Sequence, residues 1–357
     1  MNIRTGEYTR HTTDEITKRA YFTFKPRPLL DGDFYTLDEE LTSKLTEAHR
    51  ALGVLCGVVS SLPNQEHFIN LMRLKEGCCS HMIDYAEPNL LDITVAYGLD
   101  TIDERIQNII SAYSHNVKKG FSRFILSDVT AHALHGKNTK KQLYSRTEHT
   151  FLSRSNASFQ QYNPTAPEHI SGALSDIVGY LCESKADPMI KAALCHYQFE
   201  IVHPYECYNG ITGRVLTYLI LRNAGLNEVD HLAISNCLFE HKEEYFQKLG
   251  QTQREGRYLD WLFFFVQMII ESAQGSLNAA EKYRGIVSNT DSEIVKYFQQ
   301  RIVTNVANTA KHLEISYSTA NRLIEQLLQV GILTQITYGS RNRLFAHTDM
   351  MKLILGK

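Results

Sequence analysis

Residues 203–214 read HPYECYNGITGR, which puts an imidazole, a tight turn and a guanidinium into one short run. His203 follows the apolar Phe199 and Val202, and Pro204 forces an exit there, because the residue before a proline avoids the helical region. Asn209 and Gly210 supply turn flexibility. Thr212, Gly213 and Arg214 then open an apolar helix that continues through Leu216, Leu219 and Ile220. Free backbone N–H groups at a helix start attract an anion, and Arg214 adds a positive charge with bidentate geometry. A histidine facing such a start is what general-base catalysis of phosphoryl or nucleotidyl transfer needs. Each half also has a bland reading. A histidine before proline is most often packed and hydrogen-bonded, and Asn-Gly helix starts are common without a ligand, so only the combination points to chemistry.

The elements that must hold this run are helical by pattern. Leu41, Leu45, Ala48, Leu52 and Leu55 keep helical spacing through Val59, residues 61–64 break it, and a second helix is predicted over roughly Phe68–Tyr85. Asp103–Lys118 and Ser122–His135 are further candidates, the latter ended by Gly136. Between about 136 and 165 the period fails, and this stretch reads as loop plus a short hairpin. Helices resume at Ala166 and dominate to about 285, where Gly285–Asn289 suggests a linker. The last segment reads as a separate unit. Helices near Ser292–Gln300, Asn305–Leu313 and Tyr317–Val330 are followed by strand-like 332–338, a tip at 339–342 and strand-like Arg343–His347. Helix–turn–helix followed by a hairpin wing is the winged-helix order.

Composition bounds the alternatives. A length of 357 residues allows two or three domains, and 43 % apolar with 21 % charged residues is ordinary for a soluble globular chain. A net charge of −2 argues against a generally basic nucleic-acid coat, though not against a local patch. The N-terminus is polar, without the apolar core of a secretory signal, and the greasiest run, Trp261–Ile270, is too short for a membrane span. Seven cysteines without a CxxC pair fit reduced thiols in a cytoplasm. No metal site is expected from their spacing.

The run 203–214 resembles the signature of the Fic (Fido-fold) family, HPFxDGNGRTGR. His203, Pro204, Asn209, Gly210, Thr212, Gly213 and Arg214 match, and Tyr205 replaces a phenylalanine conservatively. The resemblance extends to 188–203, similar to the family's lead-in helix PxLIKAALAHAQFExIH. It also takes in Tyr144–Thr147 and Pro164 beside the family's hairpin flap, and the later helices at 244–249 and 261–265. It implies a mainly α fold: a Fido helical core at 113–285 with a short β-hairpin flap, an N-terminal helical region at 1–112 and a C-terminal winged helix-turn-helix domain at 290–357. Family members commonly transfer AMP from ATP to a protein hydroxyl. By resemblance His203 would be the base, Asn209, Gly210, Thr212 and Gly213 would cradle the nucleotide, and Arg214 would grip its phosphates, with ATP and Mg2+ as cofactors.

Three positions depart from the pattern. The metal-binding acid is Cys207, and a neutral thiol is no ligand for a hard ion that wants oxygens. The anion-hole glycine is Tyr208, and the first arginine is Ile211. A missing charge-stabilising group costs about 2–4 kcal/mol of transition-state stabilisation, so three such losses predict impaired or absent AMP transfer. The family's inhibitory helix, [S/T]xxxE[G/N], has a counterpart in Ser80 and Asp84, with Tyr85 at its last position. Asp84 is one methylene shorter than the family glutamate. The bland reading is an ordinary exposed aspartate.

The tail at 290–357 has eight basic residues against five acidic ones, +3, while the rest of the chain is acidic. Thr319, Asn321 and Arg322 would read base edges from the third helix, and Arg341 and Arg343 would meet phosphates from the wing. Three functions therefore compete: a Fic-fold protein with crippled transfer; an active enzyme with altered nucleotide or metal use, in which Cys207 could act as a nucleophile beside His203; and a DNA-binding regulator built on a Fic platform. The partners these allow are an unidentified target protein, duplex DNA and a second copy of the chain, with no membrane.

Overall fold

Apolar residues at three-to-four spacing give long helices wherever a capping side chain starts them. In the computed structural model, Asp38 accepts from the Leu41 N–H and starts α1 (Glu39–Ser60), which buries Leu41, Leu45, Ala48, Leu52, Leu55 and Val59. Asn64 caps α2 (Gln65–Asp84) in the same way. The structure describes all residues except 1, 4, 13–19, 115–119, 138, 142, 151–161, 289, 338, 340–341 and 357. The chain continues through α3 (Leu90–Gly98), α4 (Glu104–Ala112), α5 (Arg123–His135) and α6 (Pro167–Glu183). Then come α7 (Pro188–Val202), α8 (Asn209–Asn223), α9 (Ile234–Glu240), α10 (Lys242–Glu255) and α11 (Tyr258–Val287). Ser122 and Gly136 cap the two ends of α5 at the expected residues.

The helices pack round α7, whose residues from Met189 to Val202 are all buried except Lys191. Such a helix carries no amphipathic stripe, because it is covered on every side. It runs beside α8, also buried on nearly all faces, and the loop between them is the run 203–214.

Two small sheets complete the architecture. At the N-terminus β1 (Asn2–Ile3), β2 (Gly6–Thr12) and β3 (Ala20–Pro26) form an antiparallel sheet in chain order, with Tyr8 opposite Phe24 and Arg10 opposite Phe22. The sequence reading placed only helices in 1–112. The strands escaped it because Gly6–Thr12 is polar and largely solvated, and its pairing is set by a partner and not by its own pattern. The Phe24 N–H donates to the Pro164 carbonyl at 3.1 Å, which ties this sheet to the segment entering α6. Within 136–165 no strand is found among the described residues; the expected flap hairpin falls largely on 151–161, outside them.

After α11, α12 (Glu293–Arg301) leads to β4 (Val303–Asn305), α13 (Val306–His312), α14 (Tyr317–Gln329), β5 (Leu333–Gln335), β6 (Leu344–His347) and α15 (Thr348–Leu355). The strands form an antiparallel sheet in the order β4-β6-β5. A small core of Ile294, Phe298, Val306, Ala320, Ile324, Leu333 and Phe345 holds this segment together. It is also docked: Ile302, Val303, Met350, Leu353 and Ile354 belong to the main core. Gly98 at the end of α3 approaches so closely that a Cβ there would lie 2.2 Å from the Val303 carbonyl oxygen. The linker is correspondingly short, since α11 runs unbroken through Gly285 to Val287.

Candidate functional site

The loop between α7 and α8 is built by its own residues. The Asn209 Oδ1 accepts from the Tyr205 N–H at 2.8 Å, and its Nδ2 donates to the Tyr205 carbonyl at 2.7 Å. Asn209 is buried, so it clips the turn and is not free to cradle a ligand with its side chain. Thr212 Oγ1 lies 2.8 Å from the Tyr208 carbonyl and 2.9 Å from Thr130 Oγ1, fixing the start of α8 against α5. His203 ends α7 in the left-handed conformation at φ 47°, with its N–H bonded to the Phe199 carbonyl.

Arg146 secures this corner. Its Nε donates to the His203 carbonyl at 2.8 Å, its Nη1 to the Glu148 carbonyl at 2.8 Å, and its Nη2 to the Val202 and Thr165 carbonyls. The guanidinium is buried among carbonyls, and burial lowers its pKa to about 10. Burial first, then the Arg146 charge, depresses the His203 imidazole to about 4, although Asp84 and a backbone carbonyl partly oppose this. At neutral pH His203 is therefore uncharged, the form a general base requires. Its Nδ1 is buried and has no hydrogen-bond partner among the described residues.

Arg214 is 2 % exposed and fully engaged. Its Nη2 lies 2.6 Å from Asp84 Oδ2 and donates to the Ser80 carbonyl at 2.9 Å, while its Nε donates to Ser80 Oγ at 2.8 Å. The shorter acid does reach the arginine. It can do so because Gly210 lets α2 and the loop approach: a Cβ at Gly210 would sit 2.8 Å from Asp84 Oδ2. Burial opposes the charge on Arg214, but Asp84, Tyr245, Tyr113 and Glu200 more than offset it and hold the guanidinium protonated. Asp84 itself is 26 % exposed at the side chain.

The three divergent positions have distinct fates. Ile211 is fully buried in the main core, so its seat is filled by apolar packing. Tyr208 takes the left-handed conformation at φ 64°, one that favours glycine. Its ring lies 6.3 Å from that of Tyr85, which stacks on His81 at 4.9 Å. Cys207 is exposed, and partial burial together with Glu206 pushes its thiol up, which counts against an activated nucleophile. A protonated thiol beside an exposed Glu206 does not fit Mg2+, and no group of three or more His, Cys, Asp or Glu side chains is placed to hold a metal among the described residues.

Sequence reasoning passed over two buried charges. Glu200 lies within the lead-in segment 188–203 and Arg146 within Tyr144–Thr147, so the resemblance took in both residues without giving either a role. Of the tail residues, Thr319 is half-buried with Oγ1 2.8 Å from Ser316 Oγ, Asn321 is half-buried, and Arg322 is exposed. Arg343 bonds Glu325 at 2.7 Å and Gln335 at 3.0 Å, so its charge is used within the fold. Arg341 lies outside the described residues.

A polar turn clipped by asparagine, followed by a helix start with a buried arginine and preceded by a histidine at a helix end, defines a Fic-type loop. Residues 127–221 match the Fic/DOC family, which supports a Fic family protein. It is 25 % identical over 164 residues to protein adenylyltransferase fic-1 of Caenorhabditis elegans, an alignment spanning 45 % of this chain and 30 % of that protein. It is 29 % identical over 94 residues to a probable protein adenylyltransferase of Aquifex aeolicus, covering 26 % of this chain and 27 % of the relative. The chain thus matches less than a third of the length of these curated relatives. Among solved structures, a Fic family protein from Desulfovibrio desulfuricans superposes with a TM-score of 0.60 at 14 % identity, covering 88 % of this chain and 97 % of that one. A Fic domain containing signaling protein from Bacteroides thetaiotaomicron gives 0.50 at 13 % identity, over 65 % and 97 %. Among the described residues no helix is long and apolar enough to cross a membrane.

Proposed function

We propose that this protein is a relative of the protein adenylyltransferases in which the nucleotide seat is closed and AMP transfer is impaired, leaving a scaffolding or regulatory role. One observation carries the reading: Arg214, the remaining phosphate clamp, is 2 % exposed and held by Asp84 and Ser80 on α2. The filled position of Ile211 and the thiol at Cys207 support it, since each replaces a group that would stabilise phosphate charge. His203 remains a neutral base beside an anion site with no room for the anion.

The test is a transfer assay with α-labelled ATP, Mg2+ and cell extract, run with the intact chain and with His203→Ala. The expected result is no label above the His203→Ala background. Strong labelling of a target that His203→Ala abolishes would sink the proposal and revive an active enzyme with altered nucleotide or metal use.

A second reading concerns the tail. The element order α12, β4, α13, α14, β5, β6 with a three-stranded sheet supports a winged helix, and Arg322 and Tyr317, at 62 % exposure, lie on the free face of α14. We propose duplex DNA as the partner of that face. With Arg343 already paired to Glu325, binding depends on Arg322. A gel shift at low salt that Arg322→Ala weakens is expected; no shift with any duplex leaves protein docking.

A further inference from the structure

The closed latch at Arg214 stands at one end of a chain of contacts that runs to the C-terminal segment. Only residues 85–89 separate α2, which carries Asp84 in its last turn, from α3. That connection is folded back on α2: the His81 Nε2 donates to the Glu87 carbonyl at 2.9 Å, and Asn89 and Asp92 exchange the two hydrogen bonds of a capping box at the start of α3. Ile83 and Ile93 are buried in the main core, so the end of α2 and the start of α3 share one anchorage. The other end of α3 is grasped by the tail. Arg301, the last residue of α12, donates to the Gly98 carbonyl from Nε at 3.1 Å and from Nη2 at 2.9 Å, and pairs with Asp100. Gly98 lies against the Arg301 and Val303 carbonyls, where a Cβ would stand 2.7 and 2.2 Å from their oxygens.

The joint between these two residues of the tail is strained. Ile302 has φ 64° and ψ −53°, the region of the rare γ-turn, which a β-branched residue seldom enters. It is fully buried, its N–H donates to the Phe298 carbonyl at 2.8 Å, and its carbonyl accepts from the His347 N–H at 2.8 Å. Such a conformation persists only while its surroundings enforce it. Those surroundings are the docked tail itself. Phe298 of α12 shares the small core with Ala320 and Ile324 of α14. The helix α14 is thus linked through α12 to the joint, and the joint through α3 to the latch.

We propose that the docked tail is a clamp on the closed site: by gripping Gly98 and Asp100 it holds α3 in place, and α3 keeps Asp84 on Arg214. The inference rests on the reading of the Asp84–Arg214 pair as what closes the site, and not on the identity of the tail's partner. A ligand that pulls α12 away from α3 releases the strain at Ile302 and frees the last turn of α2. A ligand that binds the docked form tightens the latch. Coupling between two sites is reciprocal, so loss of Asp84 must also loosen the joint at Ile302. The element biased from both ends is α3, and its response to each end is the measurable content of the proposal.

Amide hydrogen exchange of the full chain, read by mass spectrometry, tests this with Arg301→Gln and Asp84→Ala. Arg301→Gln removes the fork on Gly98 and the pair with Asp100, both away from the loop. It is expected to speed exchange in residues 81–92 by at least about fivefold, the low end of ordinary coupling between sites, while the buried amides of α7 keep their protection. Asp84→Ala is expected to speed exchange in residues 81–92 and also in 301–305. If Arg301→Gln speeds exchange at 96–101 and 301–305 but leaves 81–92 as in the native chain, α3 does not transmit and only this inference falls. If Arg301→Gln changes none of these segments, the tail is no clamp and the inference falls in the same way. If Asp84→Ala leaves 81–92 unchanged, Asp84 does not close the site and the underlying reading falls with it. Where Arg301→Gln also strips protection from α7, the fold as a whole has loosened, and Arg301→Lys takes its place under the same criteria, since it keeps the charge beside Asp100 and loses the planar fork.

Discussion

Asp84→Ala offers the most direct measure of what the α2–loop contact contributes to the folded state. The substitution leaves the Arg214 guanidinium 2 % exposed with its ion partner gone. Breaking a buried ion pair by removing one partner costs about 3–5 kcal/mol, because the remaining charge is uncompensated. Two features reduce that figure. The Ser80 hydroxyl and carbonyl still accept from the same guanidinium, and water already reaches the edge of Asp84, 26 % exposed. A cost of about 2–3 kcal/mol follows from these discounts. Unfolding entropy of about 2.1 cal/mol/K per residue gives about 0.75 kcal/mol/K for a chain of this length, so Tm should fall by about 3–4 °C in a single cooperative transition. Differential scanning calorimetry of the native chain, Asp84→Ala and Ser80→Ala makes the comparison. Asp84→Glu is an informative control: the family's longer acid would be driven against Gly210, where a Cβ already has no room, so it should also lower Tm. A Tm unchanged within 1 °C in Asp84→Ala would refute the reasoning, and would mean that the pair is only a surface contact of little worth.

Two further perturbations test other parts of the structure. Ile211→Arg, which restores the family residue, should destabilise by more than about 4 kcal/mol, since it removes a fully buried aliphatic side chain and places a cation among apolar neighbours; soluble yield and Tm are the readouts. Gly98→Ala should loosen the C-terminal segment by about 2 kcal/mol or more, because the new Cβ meets the Val303 and Arg301 carbonyls; limited proteolysis near residues 288–292 should accelerate.

Much of the helical frame was legible because its helices carry apolar stripes and capping residues within a few positions of each other, as Asp38, Asn64 and Ser122 do. The residues of the loop were legible for the same local reason: proline, asparagine and glycine act on their own backbone. What could not be read was set by distant partners. Asp84 has one methylene fewer than the family glutamate, and only the approach allowed by Gly210 makes that length sufficient. Arg146 caps carbonyls more than fifty residues further along the chain, at Val202 and His203, and nothing in its neighbours announces that role. The strand Gly6–Thr12 has no apolar alternation because most of its residues are exposed, and its pairing is set by β3. Gly285 looked like a break, yet glycine in a helix costs only about 1 kcal/mol, and the packing of α11 outweighs it.

The departures from the family pattern also bear on one another, and this decides how the loop should be regarded. A loop that had merely lost its ligand would leave an unpaired clamp and open space at each altered position. Here Arg214 has Asp84 and Ser80 as partners, and the position of the first clamp is filled by Ile211 in the core. Tyr208 and Tyr85 both replace small family residues in segments more than a hundred residues apart, and their rings face each other across the loop and the end of α2. Tyr208 holds a left-handed backbone that costs a side-chain-bearing residue about 1–2 kcal/mol, and the ring contact with Tyr85 is the compensation on view. Only Cys207 remains exposed and without a compensating contact of this kind. Protein contacts thus occupy three points of the loop, at Tyr208, Ile211 and Arg214. A contact set of that kind holds α2 on the loop, and the stability of that closed arrangement rests on Arg214, Asp84, Ser80 and the two tyrosine rings.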